Sequence, residues 1–156
     1  MTITEITDGK SKICERILRA LPDWFGLESA IIDYIRESAN MPMFAVSDGD
    51  DIVGFVSLKH HNKWTAEIYV LGVLAEYHRQ GLGRMLVDRC EEYLTDKGYR
   101  FLTVKTLGPS RECAEYERTR MFYEGIGFSP LEEFATLWSE EHPCLFLVKG
   151  LPLASN

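Results

Sequence analysis

The feature that most constrains this chain is an unbroken succession of strand, glycine-containing loop, helix and strand between residues 64 and 106. Residues 64–73 are apolar at both alternating sets of positions, which indicates a central strand buried on both faces. Helical periodicity follows over 84–97, and strand periodicity returns over 101–106. This order predicts two parallel strands joined by a right-handed crossover.

The remaining segments place helices on an otherwise antiparallel sheet. Predicted helices cover 11–21, 28–38 and 112–124, and predicted strands cover 43–47, 52–58, 131–134 and 144–148. The order predicts an α/β fold with a mixed, mostly antiparallel sheet flanked by helices. No linker or internal repeat divides the 156 residues, so we expect a single domain spanning 1–156.

Charge and hydropathy narrow the classes of partner. The formal net charge of −7 opposes binding to nucleic acid, because phosphate affinity comes largely from Lys and Arg. No apolar run approaches the ~20 residues that a membrane helix needs, and no secretory signal is visible. We therefore expect a cytoplasmic protein with no membrane partner. A cationic substrate fits the negative charge, although such a surface also keeps ordinary proteins soluble.

No cluster of metal-ligating residues is evident. The cysteines lack C-x-x-C spacing and are predicted to be reduced, mostly buried thiols; they are Cys14, Cys90, Cys113 and Cys144. His60 and His61 lie at a predicted strand end and could face an acceptor site, but they have no third ligand at metal spacing, so we interpret them as surface or turn residues. We expect no metal.

The loop before the third predicted helix carries the clearest functional signal. Gly81 and Gly83 lie at a helix start, where backbone N–H groups are unpaired and the helix dipole is positive. A diphosphate can approach glycine backbone closely, and Arg79 and Arg84 can add charge-assisted hydrogen bonds. Leu86 interrupts the dinucleotide fingerprint, and no Gly-Lys-Ser/Thr is present. Taken alone, the loop is compatible with a phosphate site or a purely structural turn.

Two separate stretches resemble the GNAT N-acetyltransferase superfamily. Residues 73–86, VLAEYHRQGLGRML, resemble its acyl-CoA loop, and residues 119–128, TRMFYEGIGF, resemble its closing helix and turn. The order of elements is similar as well, and the resemblance covers residues 43–148. It implies a GNAT-type fold and acetyl-CoA as the co-substrate.

The resemblance also implies a cofactor site. The family's pantetheine arm pairs with the strand that precedes the loop, which implies Leu71 and Val73, with the Val73 N–H as an oxyanion donor. The pyrophosphate lies on the loop, which implies His78, Arg79, Gln80, Gly81, Leu82, Gly83 and Arg84. His78 stands where the family usually has Gln or Arg, and the contribution of its side chain is left open.

Glu67 and Tyr123 are the implied catalytic residues. A lysine-type amine has a pKa near ~10.4, so its proton must be taken directly or through water. Glu67 falls where several members carry a general base, and by period-two alternation it shares a face with Leu71 and Val73. Tyr123 matches the tyrosine that many members use as general acid. The alternatives are a buried salt bridge or solvent-facing strand end for Glu67, and a packing aromatic for Tyr123.

These features predict an acetyl-CoA-dependent N-acetyltransferase. The amine, small or on a peptide or protein, would attack directly in a ternary complex, and its identity and the acyl preference stay open. The alternative is a non-catalytic acyl-CoA-binding sensor, which needs the loop but not a base and Tyr123 together. Exposed closing strands are compatible with a homodimer.

Overall fold

The structure is a computed structural model that describes residues 1–153. The strands are β1 (Thr2–Ile6), β2 (Met43–Asp48), β3 (Asp51–His60), β4 (Thr65–Val73), β5 (Phe101–Leu107), β6 (Ser129–Ser139) and β7 (His142–Gly150). The helices are α1 (Lys10–Arg19), α2 (Glu28–Ser38), α3 (Leu82–Asp96) and α4 (Ala114–Gly125), with a short 3₁₀ helix at Ala75–Tyr77.

The strands follow the order β1-β2-β3-β4-β5-β7-β6 in one sheet. Antiparallel pairs join β1 to β2, β2 to β3, β5 to β7, and β7 to β6. The predicted α/β fold with a mostly antiparallel sheet flanked by helices is therefore confirmed. The parallel pairing of the strands on either side of α3 stays a prediction.

One strand is missing from the predicted elements. β1 pairs along its whole length with β2, from Thr2 opposite Ser47 to Ile6 opposite Met43. Its sequence TITEI is polar at most positions, and only Ile3 and Ile6 are half-buried. An edge strand of this kind lacks the apolar run from which a strand is predicted. Its formation depends on the partner strand.

The described chain comprises two compact units. The first consists of Met1–Lys59 and Ile68–Tyr93. Its core forms where the apolar face of α1 packs against three strands, and its buried members are Cys14, Ile17, Leu18, Leu21, Met43, Ala45, Phe55 and Val70. Each large apolar side chain buried in this way contributes roughly 1.5–3 kcal/mol.

The second unit consists of His60–Glu67 and the chain from Leu94 onward. Leu102 of β5 and Leu147 of β7 are fully buried, and Tyr123 of α4 is nearly so. The aromatic ring of Phe128, just after α4, packs edge-on against Tyr123 at 5.4 Å between centroids. Side chains from α4 and the closing strands therefore form this core. A single domain spanning 1–156 stays a prediction, and its last three residues lie outside the described range.

The boundaries of several elements differ from the sequence-based expectation, and α3 and β6 are examples. α3 begins at Leu82, two residues before the predicted start, and β6 covers Ser129–Ser139 rather than 131–134. β6 lies at the edge of the sheet, with Leu131, Leu137 and Trp138 exposed. Because its pairing with β7 rather than its own periodicity extends it, local pattern underestimates its length. A homodimer through these strands stays a prediction.

No helix within residues 1–153 combines the length and apolar character required to span a membrane.

Candidate functional site

The segment between β4 and α3 presents backbone donors at the start of a long helix. β4 ends at Val73, and the Met85 N–H donates to the Gly81 carbonyl at 3.0 Å as α3 begins. The N–H groups from Gly81 to Arg84 precede this first helical bond and have no acceptor within the helix. Together with the helix dipole they form a site for an anion.

The backbone of this loop is strained and open. Arg79 has φ +63° and Gly81 has φ +78°, and Arg79 is the one non-glycine residue in the left-handed region within residues 1–153. That conformation costs an L-residue roughly 1–2 kcal/mol. Apart from Gly81 itself and its two chain neighbours, no residue within 1–153 places a heavy atom within 4 Å of where a Cβ on Gly81 would stand. An anion can therefore approach the backbone there, and strain held at such a place favours a functional role.

The side chains of the loop differ in how far they are available to bind a phosphate. The guanidinium groups of Arg79 and Arg84 are exposed, and neither forms an ion pair with any described residue. Both are therefore available to a phosphate. Leu82, also predicted in the cofactor site, is only 3 % exposed and can offer its N–H alone. The Gln80 side-chain amide donates to the Glu76 carbonyl at 3.4 Å.

His78 is engaged at the end of β4. Its Nε2 donates to the Val73 carbonyl oxygen at 2.6 Å, and its ring packs edge-on against Trp24 at 5.3 Å. The imidazole therefore holds the strand end, a role in which it differs from a phosphate-binding Gln or Arg. Val73 itself is 7 % exposed, whereas Leu71 is half-buried.

Glu67 lies in a cluster with an imidazole and an ammonium group. Its carboxylate is buried, and Oε1 is 2.6 Å from Nε2 of His61 and 3.3 Å from Nζ of Lys105. Of the environments that the sequence left open for Glu67, the buried salt bridge is present and the solvent-facing strand end is not. We call His61, Glu67 and Lys105 the Glu67 cluster.

Sequence reasoning missed two members of this cluster. His61 follows β3, and its N–H donates to the Thr65 carbonyl at 3.1 Å across the turn. This tight connection brings the exposed His61, which we interpreted as a surface or turn residue, onto Glu67 six positions later. The sequence did contain a signal for this contact, because a hairpin between β3 and β4 places the residues on either side of its turn close together. Lys105 comes from β5, and only the strand order brings it close.

The thiol of Cys144, on β7, interacts electrostatically with Lys105 and Glu67 of the cluster. Burial raises the pKa of this thiol to about 11. Lys105 lowers the pKa by a smaller amount, and Glu67 raises it slightly. The thiol is therefore protonated near neutral pH and does not compete as a nucleophile. Within residues 1–153, no group of three or more His, Cys, Asp or Glu side chains is arranged to hold a metal ion.

Tyr123 lies on α4 among aromatic rings. It is 5 % exposed, and its ring makes edge-on contacts with Phe122 and Phe128 at centroid distances of 5.0 Å and 5.4 Å. The Phe128 N–H donates to the Tyr123 carbonyl at 3.0 Å, which closes the helix. The packing role considered for Tyr123 is therefore present, and an additional role for its hydroxyl stays a prediction.

A cavity of about 480 Å³ in the second unit contains none of the predicted site residues. Its lining consists of Ser110, Arg111, Glu112, Glu140, Glu141 and Pro143. The cavity has neither the helix-terminal donors nor the buried carboxylate on which the candidate site depends. We do not assign it to the reaction.

Curated relatives of the chain are named acetyltransferases. The chain is 26 % identical over 103 residues to an uncharacterized N-acetyltransferase of Chlorobaculum tepidum, a match that covers 66 % of this chain and 56 % of that protein. It is 34 % identical over 87 residues to a mycothiol acetyltransferase of Corynebacterium efficiens, covering 54 % of this chain and 27 % of that protein. The chain thus matches about half or less of the length of these relatives.

Solved structures show the same fold at low sequence identity. An aminoglycoside 6′-N-acetyltransferase complexed with coenzyme A matches with a TM-score of 0.80 and 16 % identity over 100 % of both chains. The ribosomal-protein-S18-alanine N-acetyltransferase of Escherichia coli matches with a TM-score of 0.78 and 15 % identity, over 99 % of this chain and 96 % of that one.

The family assignment rests on a longer match. The model of the acetyltransferase (GNAT) family matches residues 12–128, which include β4, the loop and α4 with Tyr123. The chain belongs to the acetyltransferase (GNAT) family.

Proposed function

We propose that this chain is an acetyl-CoA-dependent N-acetyltransferase that acts on a primary amine. The observation that carries the proposal is the start of α3, where the N–H groups of residues 81–84 have no helical acceptor and Gly81 leaves the approach open. A diphosphate at this position would also find the unpaired guanidinium groups of Arg79 and Arg84. Leu71 and Val73 would hold the pantetheine arm along β4, as the family resemblance implies.

Acetyl-CoA supplies a thioester carbonyl, and the protein must supply the proton transfers. An alkylammonium cannot attack until it loses a proton, and the Glu67 carboxylate would drive that loss directly or through a neighbouring group. A free thiol has a pKa of ~8.5, so a proton from the Tyr123 hydroxyl would ease departure of the CoA thiolate. The buried position of both residues supports these roles, since exclusion of water strengthens electrostatic interactions.

The acceptor we propose is a primary amine that carries positive charge. The formal net charge of −7 favours encounter with a cation. Two structural neighbours are named for an aminoglycoside and for the alanine of a ribosomal protein, so both small molecules and peptide N-termini are candidate acceptor classes.

The test is release of CoA thiol from acetyl-CoA with a panel of amines: spermidine, an aminoglycoside and a peptide with a free N-terminal alanine. We expect thiol release that depends on one of these amines, with mass spectrometry showing a single added acetyl group. Stabilisation by acetyl-CoA without turnover on any amine would favour the sensor alternative. Absence of both would overturn the proposal.

A further inference from the structure

We propose that His61 is the group that takes the proton from the acceptor amine, and that Glu67 is its positioning residue. This inference rests on the proposed acetyl transfer and identifies which atom performs one of its steps.

The side chains of His61 and Glu67 differ in their exposure to solvent. The Glu67 side chain is 4 % exposed, whereas the His61 side chain is 35 % exposed and bonded to Glu67. A general base must come within about 2.6–3.2 Å of the proton that it removes, or act through one water. The imidazole is partly open to an incoming ammonium, whereas the carboxylate is covered. Access therefore favours His61.

The hydrogen bond also determines which nitrogen of His61 can act. An ionised carboxylate only accepts hydrogen bonds, so the 2.6 Å contact requires the proton on Nε2. Nδ1 then keeps its lone pair, and no residue within 1–153 forms a hydrogen bond to it. A carboxylate that holds imidazole in one tautomer, with the other nitrogen available as base, is the arrangement of His-dependent hydrolases.

Lys105 sets the charge of the cluster. Its ammonium lies 3.3 Å from the same Oε1 and balances the buried carboxylate, so neutral imidazole leaves the cluster uncharged. On protonation the imidazolium stays next to the carboxylate that stabilises it. Among the described residues, Lys105 from β5 and the thiol of Cys144 from β7 interact electrostatically with Glu67, and the thiol is protonated near neutral pH.

The step balances without any further reactant. An N–H bond of the ammonium breaks and an Nδ1–H bond forms on His61. The neutral nitrogen attacks the thioester carbonyl, so that a C–N bond forms and the C–S bond breaks. The thiolate takes a proton from Tyr123, which regains one from the nitrogen as the amide forms. The imidazolium then releases its proton to solvent.

The neighbouring histidine provides a matched control. His60 ends β3, and its Nδ1 accepts a hydrogen bond from the Tyr99 hydroxyl at 2.6 Å. Burial, and secondarily Lys97, lowers the pKa of His60. The two residues thus have the same side-chain chemistry and adjacent positions, and it is His61 whose hydrogen bond to Glu67 the inference uses.

The kinetic test compares His61→Gln with His60→Gln, using acetyl-CoA and the amine of the panel that the wild type acetylates fastest. We expect His61→Gln to lower kcat/KM roughly 100-fold or more and to remove the fall in rate at low pH, with acetyl-CoA-induced stabilisation unchanged. His60→Gln should keep both the rate and the profile. Glu67→Gln retains the imidazole of His61. We therefore expect the fall in rate at low pH to shift to a different pH in this variant rather than to disappear.

A low-pH limb that survives in His61→Gln and disappears in Glu67→Gln would make Glu67 the base and overturn the inference. A ¹⁵N NMR measurement of the His61 tautomer gives a readout that needs no turnover. We expect the Nε2–H form in wild type and loss of that preference in Glu67→Gln, and an Nδ1–H form in wild type would overturn the inference. Absence of wild-type turnover with every amine would instead refute the proposed function, and this inference with it.

Discussion

The loop before α3 and the Glu67 cluster are two functional regions built in opposite ways. The loop offers consecutive backbone N–H groups from one short stretch of chain. Its main side-chain contribution is the positive charge of Arg79 and Arg84. The cluster joins side chains from a turn and two strands around a single carboxylate oxygen. A backbone site tolerates substitution wherever the local conformation is kept, whereas the cluster depends on each of its members. The two regions should therefore respond differently to mutation.

Apart from His61→Gln, the largest effect that we expect comes from a side-chain site, at Tyr123. Tyr123→Phe keeps the ring that packs between Phe122 and Phe128 and removes only the hydroxyl. We expect kcat to fall by about 100-fold, a magnitude typical of a lost acid–base group, with little change in acetyl-CoA binding. Steady-state kinetics and acetyl-CoA titration on the same preparation check this. Equal kcat in variant and wild type would remove Tyr123 from the mechanism.

A smaller effect is expected when the cluster loses its balancing charge. Lys105→Met leaves the buried Glu67 carboxylate with one partner, which should lower the free energy of unfolding by about 1–3 kcal/mol. Lys63→Met is the control, because Lys63 is exposed, with its Nζ over the Trp64 ring at 4.5 Å, and its replacement should change stability by about 0.5 kcal/mol or less. Urea denaturation measures both. Equal stability of the two variants would mean that Lys105 does not support the carboxylate.

The loop can be tested with a pair of glycines. Gly81 and Gly98 have φ of +78° and +84°, and at neither would an added Cβ meet an atom within 4 Å. Ala at either position should therefore cost about 1 kcal/mol from backbone strain alone. Only Gly81→Ala should also weaken acetyl-CoA binding, since Gly98 follows α3 at its other end. Calorimetric titration showing equal affinity in both variants would contradict a backbone site at Gly81.

The smallest effect concerns the thiol beside the cluster. With a pKa of about 11, Cys144 is roughly 0.1 % thiolate at pH 8, so alkylation in the native protein should be negligible over minutes. Because reactivity requires the thiolate, labelling should increase as pH rises toward 11. Mass spectrometry after iodoacetamide treatment measures it, with urea-unfolded protein as the control. Rapid labelling at pH 8 would show that the cluster is open to solvent.

The same contrast explains which parts of the molecule the sequence could predict. The loop was predictable because a helix start, two glycines and two arginines lie within six residues, and local chemistry suffices there. β4 was predictable because its residues are apolar at both alternating sets of positions. Lys105 was not, because its contact with Glu67 depends on strand order rather than on distance along the chain. The polar strand β1 was missed for the same reason, since its pairing with β2 supplies what its own pattern lacks.

His78 illustrates a limit of reasoning from family resemblance. Its place in the loop left the contribution of its side chain open, and in the structure its Nε2 donates to the Val73 carbonyl and its ring packs on Trp24. Trp24 lies between α1 and α2, far away in sequence. Only the tertiary fold could show that this side chain supports the strand end.

Thermal unfolding of wild type and Gly83→Glu, with and without acetyl-CoA, tests the central claim most directly. Ligand at 100 times its Kd adds ~2.7 kcal/mol of stability, which corresponds to a rise in Tm of roughly 5–10 °C at this size. We expect that rise in wild type and its loss in Gly83→Glu, where a carboxylate would stand among the helix-terminal donors. No rise in wild type at saturating acetyl-CoA, or an equal rise in both proteins, would contradict an acetyl-CoA site at the start of α3.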